Sequence, residues 1–224
     1  MTVRRVVDAA IAAIGLLLLA VPLALAAALV KLTSRGPVLY RQQRIGHGGR
    51  PFSLYKLRTM RIGAGGTQVT ITDDARITTV GRLLRRFKID ELPQLWNIVK
   101  GEMALIGPRP EVERFVARYD TEQRRILSTT PGLAGRAQLV YPHEADFLRD
   151  AFDPEEAYVA ELMPKKIAVD LEYERRRTLW TDLVLVFDIA LLVAGVRRGV
   201  AQDIQVVRRR TAATTIAPPN TIHH

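Results

Sequence analysis

The sequence predicts an α+β fold, mainly helical, in which a short β-hairpin belongs to a small domain behind an N-terminal membrane segment. Three observations carry that prediction. Residues 9–30 form an uncharged apolar run, AAIAAIGLLLLAVPLALAAALV. Two strand-like stretches flank the glycine-rich turn GHGG at 46–49. Elsewhere, apolar residues recur at helical spacing between Gly and Pro breaks. The expected organisation is a membrane anchor over 1–34, a folded domain over 35–200, and a polar, Pro-containing, disordered tail over 201–224.

The apolar run is long enough for a membrane helix, which needs about 20 such residues. Pro22 lies in its second half, where the ring clashes with the carbonyl of Leu18 and the missing N–H leaves that carbonyl unpaired, so a kink is expected. Basic residues stand on both sides: Arg4 and Arg5 before the run, Lys31, Arg35, Arg41 and Arg44 after it. That symmetry gives no preferred direction across a bilayer and suits two ends on the same, cytoplasmic side. A straight span remains open, since proline is tolerated in true spans. So does a signal peptide cleaved near the alanines at 24–28.

Residues 36–45, GPVLYRQQRI, read as one strand and residues 51–60, PFSLYKLRTM, as its hairpin partner, both rich in basic and amide side chains. GAGG at 63–66 and the following TQVTITDD read as a mobile loop. Helical patterns follow over 75–87 and over 111–127, and Asp153-Pro154-Glu155 marks another helix start. The apolar stretch 181–198 carries Asp182 and Asp188 and is flanked by clustered arginines. It reads either as a buried core helix or as an amphipathic helix lying in the membrane interface.

The chain has 224 residues and a net charge of +10. Such a balance favours an anionic partner: nucleic acid, phosphorylated small molecules or an anionic membrane face. Aromatics make up only 6% and no recognised nucleic-acid motif appears, which argues against the first. The absence of cysteine excludes disulfides, thiol catalysis and thiolate zinc sites. His47, His143, His223 and His224 stand alone in apparent loops or the tail and are assigned to solvent.

The chemistry concentrates at residues 88–102, KIDELPQLWNIVKGE. Leu92, Leu95, Trp96 and Val99 fall at i, i+3, i+4 and i+7, an apolar helical stripe that Gly101 would end. Asp90 and Glu91 then sit at the helix start, where free amides and the helix dipole favour negative charge. On its own that pattern is ordinary capping. Arg82, Arg85, Arg86 and Lys88 precede the pair, however, and Arg109 follows in the stiff turn GPRP. Guanidinium groups bind phosphate bidentately, and Mg²⁺ prefers a few carboxylates together with phosphate oxygens. Acids beside arginines therefore point to Mg²⁺ and diphosphate chemistry, in which a carboxylate can attack phosphorus to form an acyl phosphate.

Three segments, GPVLYRQQRIGHGGRPFSLYKLRTM, DARITTVGRLLRRFKIDELPQLWNIVKGEMALIGPRP and PGLAGRAQ, lie in order behind the Pro-containing apolar run. Together they resemble the bacterial sugar transferase family, the monotopic phosphoglycosyl transferases. The resemblance implies an enzyme on the cytoplasmic face of the bacterial inner membrane. It would move a phosphosugar from a UDP-sugar to undecaprenyl phosphate and release UMP, by a Mg²⁺-dependent ping-pong mechanism that begins a cell-envelope glycan. It implies Asp90 as nucleophile and Glu91 as its partner, both near the metal. Lys56, Arg58, Arg85, Arg109 and Gln138 would contact phosphate or the nucleotide sugar, and a re-entrant helix would break at Pro22. Lys88, Arg136 and the LVYPHEADFL that follows Gln138 depart from the family pattern, so the sugar is not specified. A homodimer through the hydrophobic C-terminal helix is compatible with the sequence. The competing readings are a non-catalytic basic membrane-tethered protein that binds anionic lipid, and a secreted structural protein.

Overall fold

The computed structural model describes residues 3–63, 69–71, 74–149 and 151–196; the expected tail and most of the 63–66 loop lie outside the described residues. Helices α1 (Val3–Leu18) and α2 (Ala20–Thr33) lead into the hairpin β1 (Leu39–Ile45) and β2 (Pro51–Leu57). Next come α3 (Thr79–Arg86), a 3₁₀ turn (Ile89–Glu91), α4 (Gln94–Val99), β3 (Ala104–Ile106) and α5 (Glu113–Val116). A second 3₁₀ segment (Gln123–Ser128), β4 (Gly132–Ala134), α6 (Arg136–Val140) and α7 (Glu144–Arg149) follow. The last described elements are α8 (Pro154–Ala157), a π-helical turn (Tyr158–Leu162), α9 (Met163–Arg176) and α10 (Leu179–Val193).

The apolar run is two helices, not one. α1 and α2 meet at an angle of 63° across Leu19. The break falls just ahead of Pro22, where the ring and the missing N–H act on the carbonyl of Leu18. No single described helix is long and apolar enough to cross a membrane. Ile11, Ile14, Leu17, Leu18, Val21 and Leu25 are exposed on the outer face of the pair. Its inner face packs on the domain: Ala12 joins Phe52, Leu54, Leu95, Ile98 and Met103, while Ala26 and Val30 join Leu57 and Leu84.

Both ends of the bent pair are fastened to that same domain. At the start, Arg4 pairs with Asp182 of α10. Asp182 is buried and also accepts from the Tyr173 hydroxyl at 2.7 Å and from Arg177 Nε at 3.0 Å. Arg177 in turn donates to the Ile106 carbonyl at 2.6 Å, tying the cluster to β3. At the far end, Arg58 of the segment after β2 donates to the Ser34 carbonyl at 2.9 Å, to Ser34 Oγ at 2.8 Å and to the Arg35 carbonyl. The last carbonyls of a helix lack intrahelical donors, and a guanidinium here supplies donors where the chain leaves α2.

The hairpin is antiparallel, with Tyr40 opposite Lys56 and Gln43 opposite Ser53. β3 and β4 form a parallel pair too short to be anticipated from ALI and GLA. Their backbones approach so closely that a Cβ on Gly132 would lie 2.0 Å from the Gly107 nitrogen. Glycine is required there for lack of space.

The helix expected over 111–127 is not continuous. Glu111 is held by a hydrogen bond from the Ile45 amide to its carbonyl at 2.8 Å, and α5 starts only at Glu113. Asp120 Oδ1 then accepts from the Gln123 amide at 2.8 Å and starts a separate 3₁₀ segment. The predicted start at Asp153 is present, its side chain accepting from the Glu155 and Glu156 amides. The chain continues through the π-helical turn into α9, and Phe115, Tyr158, Leu162, Met163 and Ile167 belong to the largest core cluster. On α10, Asp182 and Leu185 face inward while Leu179, Trp180, Leu183, Val186 and Phe187 are exposed. That helix is therefore neither fully buried nor polar on its outer side.

Candidate active site

The acid pair lies in its own 3₁₀ turn, not at the cap of α4. Lys88 adopts a left-handed backbone (φ 56°), and the Glu91 and Leu92 amides bond three residues back, to Lys88 and Ile89. Pro93 caps α4, so the apolar stripe inferred from Leu92, Leu95, Trp96 and Val99 is offset. Gln94, Leu95, Asn97 and Ile98 are the buried residues, and Trp96 is exposed. Gly101, with φ 75°, ends the helix as expected.

Asp90 and Glu91 are both buried but differently engaged. Glu91 Oε1 receives Lys56 Nζ at 2.9 Å and Arg109 Nη2 at 2.7 Å, while Oε2 faces Arg109 Nη1 at 3.4 Å. Burial opposes its ionisation, but Arg109 and then Lys56 outweigh burial and hold its carboxyl well below the usual carboxylate range. Asp90 is placed otherwise: among the described residues, its buried Oδ1 has no hydrogen-bond partner. Burial, reinforced by the neighbouring Glu91 charge, raises its pKa. Buried polar atoms are almost always satisfied, so an orphaned carboxylate oxygen calls for a functional account.

Each cation is delivered by a separate element. β2 carries Lys56, whose pKa burial pushes down to about 8. α3 carries Arg85, whose Nε donates to Thr59 Oγ1 at 2.8 Å. The helix can sit this close because Gly81 lies against the Thr59 backbone, where a Cβ would come within 2.1 Å of the carbonyl oxygen. Arg109 stands on the turn after β3, and this turn is gripped from two sides. The Gly132 amide donates to the Pro108 carbonyl at 2.9 Å, and Arg44 of β1 donates to the Pro110 carbonyl at 3.0 Å and to Glu111 at 3.3 Å.

Two anticipated contacts point elsewhere. Arg58 is engaged at the end of α2, as described above. The Gln138 side-chain oxygen accepts from the Gly135 amide at 2.9 Å and closes the start of α6. His47 and His143 are exposed, and His223 and His224 lie outside the described residues. Sequence reasoning missed Asp170, which is buried on α9, accepts from the Ala137 amide at 2.8 Å and has its pKa pushed up to about 7 by burial. A lone acid inside a charged helix carries no sequence signal that it will be buried against the start of α6.

Among the described residues, no cluster of three or more His, Cys, Asp or Glu side chains could hold a metal. The donors that are present fit a cation held mostly by ligand phosphate oxygens and water. Asp90 Oδ1 is available as a carboxylate ligand, whereas Glu91 is committed to Arg109 and Lys56.

The bacterial sugar transferase profile matches residues 1–195. The chain is 39% identical over 193 residues to a UDP-N-acetylgalactosamine-undecaprenyl-phosphate N-acetylgalactosaminephosphotransferase of Aeromonas hydrophila, covering 83% of this chain and 42% of that protein. It is 41% identical over 188 residues to a UDP-glucose:undecaprenyl-phosphate glucose-1-phosphate transferase of Caulobacter vibrioides, covering 82% and 66%. Against the exopolysaccharide production protein ExoY of Rhizobium meliloti, identity is 33% over 201 residues, covering 82% of each. The chain thus spans between two fifths and two thirds of the length of the first two relatives and most of the third. With a profile match across nearly all the described residues, this chain belongs to the bacterial sugar transferase family.

Proposed function

We propose that this chain transfers a sugar 1-phosphate from a UDP-sugar to undecaprenyl phosphate, by way of a covalent phosphosugar on Asp90. The observation that carries this reading is the buried Asp90 oxygen without a partner among the described residues, next to a Glu91 that is neutralised by two cations. In the first step an Asp90 oxygen attacks the phosphorus bearing the sugar. A P–O bond forms to the carboxylate, the diphosphate P–O bond breaks, and UMP leaves with the electron pair. In the second step an oxygen of the polyprenyl phosphate attacks the same phosphorus. The acyl-phosphate bond breaks, Asp90 regains its carboxylate, and the product is a polyprenyl diphosphate sugar. Arg109, Lys56 and Arg85 lie where they can offset the phosphate charge that would otherwise repel a carboxylate nucleophile. Mg²⁺, with Asp90 among its ligands, would supply further charge neutralisation on the diphosphate.

The membrane arrangement belongs to the same proposal: α1 and α2 enter one leaflet and return. Support comes from the 63° bend and the exposed apolar outer face. It comes equally from the two anchors, Arg4 on Asp182 and Ser34–Arg35 on Arg58, which bind opposite ends of the pair to a single folded body. A span would separate those ends by the thickness of a bilayer, about 30 Å of hydrocarbon. The outward apolar residues of α10 then lie in the interface. Because the chain has no cysteine, single cysteines at Thr2 and at Arg35, whose side chain is exposed, report topology directly. Both are expected to react with an impermeant thiol reagent from the cytoplasmic side only; labelling from opposite sides would exclude re-entry.

The activity is tested by UMP release from purified protein with Mg²⁺, undecaprenyl phosphate and a panel of UDP-sugars. Release that requires the lipid phosphate is expected with at least one donor. Lipid binding without release from any donor, cell-extracted nucleotide sugars included, would favour the non-catalytic lipid-binding alternative.

A further inference from the structure

Among the described residues, the outer edge of β2 has no strand beside it, since the hairpin sheet has two strands and β1 occupies the other edge. An unpaired strand edge inside a packed domain leaves backbone groups unsatisfied. Here one side chain takes the place of a third strand. Asn97 of α4 is fully buried; its Oδ1 accepts from the Tyr55 amide at 3.2 Å and its Nδ2 donates to the Ser53 carbonyl at 2.7 Å. An adjacent strand would make the same pair of bonds, alternately to an N–H and a C=O. The second Nδ2 hydrogen reaches Glu102 Oε2 at 2.7 Å, and the Asn97 carbonyl accepts from the Glu102 and Met103 amides. All the bonding capacity of the side-chain amide except one oxygen lone pair is therefore in use.

The position of this clamp gives it meaning. Tyr55 immediately precedes Lys56, and Asn97 lies six residues beyond Glu91 on the helix that follows the acid turn. Asn97 therefore joins, backbone to side chain, the strand that carries Lys56 to the segment that carries Asp90 and Glu91. A slip of β2 by one residue would turn Lys56 to the opposite face of the hairpin. We infer that Asn97 is a positioning residue, which sets the register of β2 against α4 and so holds the Lys56 ammonium on Glu91, leaving Asp90 unpaired. Its importance for catalysis rests on the function proposed above, whereas the geometric claim does not.

The test reads Lys56 directly, in the full-length protein in detergent, without any transfer assay. The pH dependence of Lys56 acylation is followed by peptide mass spectrometry in the wild type, in Asn97→Ser and in Ile98→Val. The last variant removes packing from the neighbouring buried position but leaves the clamp intact. The wild-type midpoint is the reference against which the variants are read. Asn97→Ser is expected to move that midpoint by at least about half a pH unit, a change of roughly threefold in the protonation equilibrium. Ile98→Val is expected to leave it in place even with a comparable loss of Tm. An unchanged midpoint in Asn97→Ser, or equal shifts in both variants, would overturn the assignment. If Asn97→Ser does not fold, Asn97→Thr, which is closer in volume and adds no charge but cannot make both clamp bonds, is read by the same criterion. Since no donor sugar is involved, failure here and failure of the proposed activity are separate results.

Discussion

Asp90→Asn is expected to reduce UMP release by ~10³-fold or more, the scale on which removal of a covalent nucleophile acts. It is also expected to eliminate the phosphosugar adduct from the intact-mass spectrum. The amide has nearly the volume of the carboxylate, so the fold should persist. Stability should hold or increase, because the substitution removes a buried charge that has an unpartnered oxygen and a like-charged neighbour, Glu91. A variant with wild-type turnover would dispose of Asp90 as nucleophile. A variant that lost turnover together with its Tm would leave the loss attributable to unfolding, which is why the melting curve belongs in the same experiment.

Arg109→Ala should produce the second-largest effect. It takes from Glu91 the closer of its two cationic partners and leaves Lys56 to hold a buried carboxylate alone. Breaking a buried pair from one side costs about 3–5 kcal/mol, and the lower end is appropriate because a quarter of the Arg109 side chain is exposed. The rate should fall by ~10²–10³-fold, the usual consequence of losing one positioned charge-stabilising donor. Arg109→Lys should recover only part of this, since an ammonium cannot reproduce the forked contact with both Glu91 oxygens. Steady-state rates of the two variants, read beside their melting temperatures, check both statements, and a wild-type rate in Arg109→Ala would remove the residue from the chemistry.

Local signals in the sequence located much of this architecture. The hairpin, the Gly101 stop, the Asp153 cap and the break ahead of Pro22 each depend on a few adjacent residues whose backbone preferences are strong. What was not legible depends on distant partners. α5 starts late because Glu111 is drawn onto β1 and stops ahead of the 3₁₀ segment that follows Asp120, and no periodicity within 111–127 records either effect. The 3₁₀ turn that separates Asp90 from α4 follows from a left-handed Lys88, an unfavourable conformation for a side chain of that kind and one that composition does not announce. Within the site, Lys56 and Arg109 meet at Glu91 while Arg85 donates to Thr59, and a place near phosphate for all three was expected from the family resemblance. The unequal treatment of the two acids was not, because it arises from residues 35 and 18 positions away in the chain. Arg58 illustrates the opposite case: a cation close to Lys56 in sequence whose donors are directed to the carbonyls that follow α2.

The two fastenings of the bent helix pair also have a geometrical consequence. A body attached to a surface at one point can swivel, and at two points it can still rock about the line between them. The Arg4–Asp182 and Arg58–Ser34 junctions fix the helix pair to the folded body at two points, and because Asp182 lies on α10 the outward apolar residues of that helix hold a set position relative to the pair. The outward apolar faces of α1, α2 and α10 then give three contacts carried by one body, and three contacts define a plane. In the proposed membrane arrangement the domain therefore has a fixed tilt and height, and the distance from Asp90 to the phosphate level of the leaflet becomes a constant of the molecule. A lipid acceptor would then have to find the site only in two dimensions.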